Sequence, residues 1–322
     1  MTINSWKRGV QKGLETTWTL AKIVFPISII VTILQYTPVI DIVSKFIEPI
    51  LGYFGLPGEA ALVLVLGNLL HLYAGIGVML TMELTVKEVY ILAVMLGISH
   101  SLPMETAICK KIGVSSLLVI LIRLGLSFLF AFGVNRLWTG GEEKAQYLIS
   151  PAPEQELNTA GEIILNALGV GVNSVIQIAF IVILVMIFIE VLKEIDVLPV
   201  LAKMLSPLTR LLGVSEKTGM TLLAGLLFGI SYGAGVIIQA AKEDDLSKRD
   251  IILVTLFLIT CHAVIEDTLL FASAGVNIFY LLLTRILLAL TLTIATARVW
   301  LLVDKRLNAK NSSLAKSTAK SD

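Results

Sequence analysis

The chain has 322 residues, 56% of them hydrophobic and only 15% charged, with a mean hydropathy of +0.89. No water-soluble core needs that much apolar sequence, so the bilayer is the expected solvent. A formal net charge of +1 leaves no electrostatic basis for nucleic-acid binding, and two cysteines, Cys109 and Cys261, make no disulfide framework.

Residues 1–15 form a basic N-terminal segment with Lys7, Arg8 and Lys12, and Lys22 opens the first apolar run. No small-x-small cleavage site closes that run, so it reads as a membrane helix over about 19–40 and not as a signal peptide. A short amphipathic stretch then ends at Phe54–Gly58. The next predicted helix, 60–82, carries Asn68, His71 and Tyr73 and is interrupted by Gly75 and Gly77. The apolar run 89–100 is too short to cross, since a crossing needs roughly 20 apolar residues. It is predicted to turn back between His100 and Lys111 as a re-entrant hairpin, with two half-helices in one broken crossing as the alternative. A long helix over 113–137 closes the first membrane repeat, 16–138.

Residues 139–164 are polar and acidic, with Pro151 and Pro153, and read as an extracytoplasmic linker. The second repeat, 165–303, follows the same order: a helix over 172–195, an amphipathic stretch ending at Leu212–Lys217, a glycine-interrupted helix over 218–240, a short run over 251–262 and a long helix over 276–303. Residues 304–322 form a basic tail. From Asn308 it has no apolar period, which predicts disorder along the cytoplasmic face.

The duplication rests on letters that chance matching of Leu-rich helices would not align. At a spacing of 162 positions His100 meets His262, Glu105 meets Asp267, Thr106 meets Thr268, Gly113 meets Gly275, Arg123 meets Arg285, Arg136 meets Arg298 and Trp138 meets Trp300. Upstream, at a spacing of 158, Lys45 meets Lys203, Pro49 meets Pro207, and Gly55, Gly67, Gly75 and Gly77 meet Gly213, Gly225, Gly233 and Gly235. Basic residues cluster at both ends, with Lys305, Arg306, Lys310, Lys316 and Lys320 after the last helix, so the positive-inside rule places both termini in the cytoplasm of a cell membrane. With the linker outside, each repeat crosses an odd number of times. Homologous repeats with odd crossings are inverted relative to each other. The expected fold is therefore an all-α polytopic membrane protein of two inverted-topology repeats, each with three crossings, one glycine-broken, and a re-entrant hairpin. Loop charges agree: Lys45 alone against Lys203, Arg210 and Lys217, and Lys110 with Lys111 against Phe271, Ala272 and Ser273.

Unpaired ionisable groups in the bilayer cost about 2.5–3.5 kcal/mol on insertion scales, so the symmetric polar set is where function is sought. It comprises His100, Glu105 and Arg123 with His262, Asp267 and Arg285, while Glu266 and Glu190 lack counterparts. If the two turns meet on the pseudo-two-fold axis, His100, His262, Glu105 and Asp267 converge near the midplane and suit a divalent transition metal, with Cys261, Cys109 and Met104 as soft ligands nearby. His262 and Glu266, at i and i+4, would share a helix face. Tyr73 and Tyr232 flank the glycine pairs, and Asn68 and His71 would make the site asymmetric. Three roles compete for these residues: structural Arg–carboxylate pairs, a metal or proton-coupled site, and recognition of an anionic or polar solute by the arginines. A closed Arg–carboxylate pair would leave no ligand capacity, which argues against a bare cation site. The glycine pairs read equally as helix breaks lining a cavity or as close packing.

The glycine-broken helices and short interrupted segments, duplicated over about 15–138 and 165–303, resemble the Gate-domain (nucleoside-recognition) family. Gate modules are similar to membrane parts of nucleoside transporters and of the ferrous iron transporter B. The resemblance implies an inverted-repeat, permease-like fold without naming a substrate. The chain has no Walker loop or GTPase domain, so powered iron uptake by this chain alone is not expected. With no HExxH, GxSxG or CxxC motif, catalysis has little support. The expectation is a permease for a small solute, whether divalent metal ion, nucleoside or organic anion. An intramembrane metal-dependent enzyme and a membrane scaffold are the alternatives. The bilayer and the solute are the expected partners, with self-assembly into a homo-oligomer left open and nucleic acid excluded.

Overall fold

The computed structural model describes residues 3–148, 159–230 and 246–318. Among them the protein is helical, and the sole extended pairing is an isolated bridge between Thr85 and Lys144. Among the described residues six segments are long and apolar enough to cross a membrane: Trp6–Gln35, Val86–Ile112, Ser116–Leu137, Ala160–Glu194, Lys248–Ala274 and Ile278–Lys305. Their burial sorts them. Val86–Ile112 and Lys248–Ala274 are 78% and 72% buried, whereas Ser116–Leu137 and Ile278–Lys305 are 22% buried. The first two are central and the others offer side chains such as Leu121, Leu129 and Leu287 to lipid.

Helices α1 (Ile3–Gln35) and α8 (Ala160–Glu194) are the longest contact in the molecule and run antiparallel. Gly9 faces Ile187, Gly13 faces Ile183, Gly171 faces Phe25, and Asn166 donates to the Tyr36 hydroxyl at 3.3 Å. A Cβ at Gly9 or Gly13 would lie 2.6 or 2.8 Å from the backbone of Ile187 or Ile183, so the missing side chains are what let the helices approach. At one end of this pair Glu190, buried, takes Lys12 at 2.7 Å, Lys193 at 3.3 Å and Arg8 at 3.5 Å. Glu190 is thus a helix-end anchor and no part of the polar centre.

Helix α2 (Pro38–Leu51) exposes Ile42, Phe46 and Ile50 on one face, the pattern of a helix lying in the interface. The next segment departs from the predicted broken crossing. Helices α3 (Ala60–Leu69) and α4 (Leu72–Met79) lie side by side as a hairpin. Its tip is Leu70–His71, where His71 is extended at φ −159°. A Cβ on Gly75 would lie 3.0 Å from both Gly67 Cα and Val63 O, contacts that a continuous helix, rising about 1.5 Å per residue, would hold far apart. Gly75 and Gly77 therefore serve close packing, within α4, and the break falls upstream of them.

The predicted re-entrant hairpin at 89–111 is instead the broken crossing. Helix α5 (Val86–Ser99) opens with a Thr85–Glu88 capping box and passes through His100 and Ser101 into α6 (Leu102–Ile112), and the two do not lie alongside each other. The polar turn ended the apolar run early, so half the crossing was invisible to hydropathy. Crossing and hairpin exchange places in this half, and the described residues hold three such segments in each half. Helix α7 (Ser116–Leu137) completes this half.

The linker is not loose where described. Val86 N donates to Glu143 O, Ala145 N to Leu84 O, and Leu148 N to Ser273 O, each at 2.9 Å. The Tyr147 hydroxyl donates to Met82 O at 2.8 Å, and burial pushes its pKa up, which keeps it a donor. Residues 139–148 are thus a strap joining the two halves.

In the second half α9 (Leu198–Met204) and α10 (Ser206–Leu212) replace α2, and α11 occupies 219–230. Helix α12 (Lys248–Thr260) begins on a Ser247–Asp250 capping box, α13 (Val264–Leu270) follows the turn at His262, and α14 (Ile278–Thr318) ends the chain. The tail predicted to be disordered continues α14 as helix to Thr318: Ala, Lys and Leu are good helix formers even without an apolar face.

Candidate functional site

Each central crossing breaks in the same way. His100 caps the C-terminus of α5, Ser101 takes the left-handed conformation at φ 52°, and α6 begins. In the other half the chain passes Cys261 and His262, Ala263 takes φ 42°, and α13 begins. A non-glycine residue at positive φ is uncommon, and two at equivalent positions mark one designed turn. Both turns are tied to an earlier helix by the same bond: Ser101 N to Gly67 O of α3 at 2.9 Å, and Ala263 N to Gly225 O of α11 at 3.1 Å. Gly55 and Gly213, and Gly113 and Gly275, also share left-handed geometry.

The turn fixes the imidazoles. His100 Nδ1 lies 2.7 Å from Leu96 O, and His262 Nδ1 lies 2.7 Å from Leu258 O. A carbonyl only accepts, so each Nδ1 carries the hydrogen and each Nε2 presents a lone pair when the ring is neutral. Both Nε2 atoms point at one oxygen: Glu105 Oε1 is 3.2 Å from His100 and 3.1 Å from His262. The ring centroids are 5.0 Å apart. His100, His262 and Asp267 offer ligand atoms that all lie within 4.8 Å of one another, and all three are buried.

The arginines back this centre. Arg123 on α7 and Arg285 on α14 are completely buried. Arg123 Nη1 lies 2.6 Å from Glu105 Oε2, and its Nε donates to Ile98 O at 2.5 Å. Arg285 donates to Asp267 Oδ2 and to His262 O at 2.9 Å, to Thr268 Oγ1 at 3.2 Å and to Gly97 O at 3.3 Å. Arg123 thus occupies Oε2 of Glu105 and leaves Oε1 for the histidines. The pair does not exhaust its carboxylate.

The hairpin tip supplies the rest. Tyr73 donates to Glu266 from α4, and His71 stacks on Tyr73 with centroids 4.9 Å apart. His71 is in electrostatic reach of His100, Asp267, Glu105 and His262. Glu266 therefore turns to Tyr73; the predicted i,i+4 face with His262 is lost because Ala263 interrupts the helix. Several buried atoms have no hydrogen-bond partner among the described residues: Asn68 Oδ1, His71 Nδ1, Ser101 Oγ, Thr106 Oγ1 and Arg123 Nη2.

Eight sequence candidates thus converge: His100, Glu105, Arg123, His262, Asp267, Arg285, Glu266 and Tyr73, and Asn68 lies on α3 next to Gly67, whose carbonyl accepts from Ser101 N. Tyr232, with Gly233 and Gly235, lies outside the described residues. Cys261 and Cys109 do not join the cluster of ligand atoms; both pack into the apolar core with Leu253 and Ile259. Met104 is exposed. Sequence reasoning missed Ser101 and the carbonyls of Leu96, Leu258, Gly97 and Ile98, because every residue has a carbonyl and only the fold aims it.

A family model described as Gate: Nucleoside recognition matches residues 17–116 and 175–297. A relative from Bacillus subtilis (strain 168), named "Uncharacterized membrane protein YvoD", is 46% identical over 296 residues, spanning 91% of this chain and 94% of its own length. No solved structure matches the chain significantly.

Proposed function

The chain is a multi-pass membrane protein of the Gate (nucleoside recognition) family, and from that premise we propose that it is a permease and not an enzyme, carrying a small polar solute through the His–carboxylate centre. The observation that carries this reading is that both family segments contribute to one buried centre. His100 and Glu105 come from the first and His262 and Asp267 from the second, midway along two broken crossings.

The two halves are inverted repeats in this reading. The antiparallel run of α1 and α8, the equivalent first helices, supports it, as does the distribution of basic residues that sets both termini in the cytoplasm of the cell membrane. A centre on the axis of inverted repeats sees the same structure from either side. Small changes at the two turns then open it to one face while the other stays shut, and the hairpin α3–α4 covers one approach.

A scaffold needs only closed Arg–carboxylate pairs. Here a buried set of donors and acceptors has no partner among the described residues, and each such group costs about 1–3 kcal/mol unless something binds it. That cost is the physical reason to place a solute among Asn68, His71, Ser101 and Thr106.

Purified protein in liposomes is the test, with flux of radiolabelled divalent metals, nucleosides and organic anions followed under imposed gradients. One class should cross, and Glu105→Gln should abolish its flux per molecule of folded protein, counted after size-exclusion chromatography, since the unpaired Arg123 also lowers stability. Absence of flux for all three classes in both gradient directions refutes the permease reading.

A further inference from the structure

We propose that the centre between the two broken crossings is a binding site for a divalent transition-metal ion, held by Nε2 of His100, Nε2 of His262, a carboxylate oxygen of Asp267 and Oε1 of Glu105. The site is the permease centre proposed above, and the proposal adds the class of ion it takes.

Both Nδ1 atoms are committed to backbone carbonyls at 2.7 Å, so each imidazole, when neutral, aims its lone pair at the same carboxylate oxygen. Lone pair against carboxylate is repulsive. A proton on one ring relieves one of the two contacts, whereas a metal ion accepts from both nitrogens and the oxygen together. Metal-bound histidines characteristically donate the other ring nitrogen to a carbonyl or carboxylate, which fixes the ring and raises its basicity. Both histidines meet that description.

Spacing agrees. Ligands about 2.0–2.2 Å from a common ion, at roughly tetrahedral angles, stand about 3.3–3.5 Å apart. Glu105 Oε1 is 3.2 and 3.1 Å from the two nitrogens, and the atoms of His100, His262 and Asp267 lie within 4.8 Å of one another. The two imidazoles thus already stand at ligand spacing from Glu105 Oε1, and the His100, His262 and Asp267 atoms have to close from within 4.8 Å to that spacing around an ion.

Charge decides the ion. Arg123 and Arg285 offset Glu105 and Asp267 pair for pair, so little net negative charge attracts a cation. Affinity must come from nitrogen lone pairs. That selects ions that favour imidazole, such as Zn²⁺, Fe²⁺, Co²⁺ or Ni²⁺, over Mg²⁺ and Ca²⁺, which favour all-oxygen shells. The arginines act as the outer shell: each holds one oxygen of its carboxylate and so aims the group.

The experiment uses tag-free, chelator-stripped protein in detergent, titrated with Co²⁺ and, separately, with Cu²⁺. We expect one ion per chain by calorimetry, visible d–d bands from Co²⁺, nitrogen hyperfine splitting from two imidazoles in the Cu²⁺ resonance spectrum, and no displacement by excess Mg²⁺ or Ca²⁺. The spectra need no variant. His100→Gln and His262→Gln should each weaken Co²⁺ binding about 100-fold, the upper end of what losing even an outer-shell partner costs, and Cys261→Ala should leave it unchanged. Wild-type protein that binds no ion, or a Cu²⁺ spectrum without nitrogen splitting, overturns the proposal. Flux of another solute by protein that binds no metal overturns it too and leaves the permease standing. Metal bound at the histidines with no flux of any solute upholds the site and refutes the permease.

Discussion

Replacing Arg285 by Met keeps most of the side-chain volume and removes the charge. Arg285 is fully buried and serves four acceptors: Asp267, the His262 and Gly97 carbonyls and the Thr268 hydroxyl. Orphaning a buried carboxylate costs about 3–5 kcal/mol, and stranded neutral acceptors add about 1 kcal/mol or more. Arg285→Met should therefore destabilise the protein by about 4–6 kcal/mol. Arg123 has fewer bonds, to Glu105 and Ile98 O, so Arg123→Met should cost less, about 3–5 kcal/mol. Equilibrium unfolding in mixed micelles measures both, because heating a membrane protein in detergent usually reports a rate. Adding Asp267→Asn to Arg285→Met removes the orphan charge and should restore a large part of the loss, giving a positive coupling in the double-mutant cycle. If Arg285→Met costs no more than Leu121→Ala on the lipid-facing side of α7, or if the cycle shows no coupling, the buried network described above is wrong.

Gly75→Val should sharply reduce folded yield, since its Cβ would lie 3.0 Å from Gly67 Cα and Val63 O, while Gly125→Ala, with open space around it, should be neutral or stabilising by up to about 1 kcal/mol, both read by size-exclusion recovery and unfolding midpoint. Thr85→Ala and Ser247→Ala each remove a capping box and should each cost about 1 kcal/mol in the same unfolding assay. At the exposed Arg210–Glu216 pair, the hydrogen bond from Arg210 holds Glu216 below its ordinary 4.5. Its contribution is complete above pH 4.5 and is lost as pH falls through the lowered value. The effect of Arg210→Ala at neutral pH should vanish on adding salt, and a salt-independent effect would contradict a screened surface pair.

Residue types and spacing alone located most of the polar centre. His100, Glu105, Arg123 and their partners 162 positions on stand out because charged letters are costly in apolar sequence, and duplication makes them a set. Hydropathy also gave the membrane class and the three crossings in each half. It misplaced the hairpin, because it sees only the length of a continuous apolar run. His100–Ser101 interrupts α5–α6 in letters while the chain goes on across, and Leu70–His71 reverses the chain inside an apolar run broken only by Asn68 and His71. Only the tertiary structure decided that Gly67 and Gly75 face each other and that Glu190 sits at a helix end among cations. It also decided that Glu266 belongs to Tyr73 and that Cys261 belongs to the apolar core. The centre's chemistry came last. Which ring nitrogen carries the hydrogen, and which carboxylate oxygen the arginine leaves free, depend on the carbonyls of Leu96, Leu258 and Ile98. A backbone group common to every residue gains meaning only from where the fold points it.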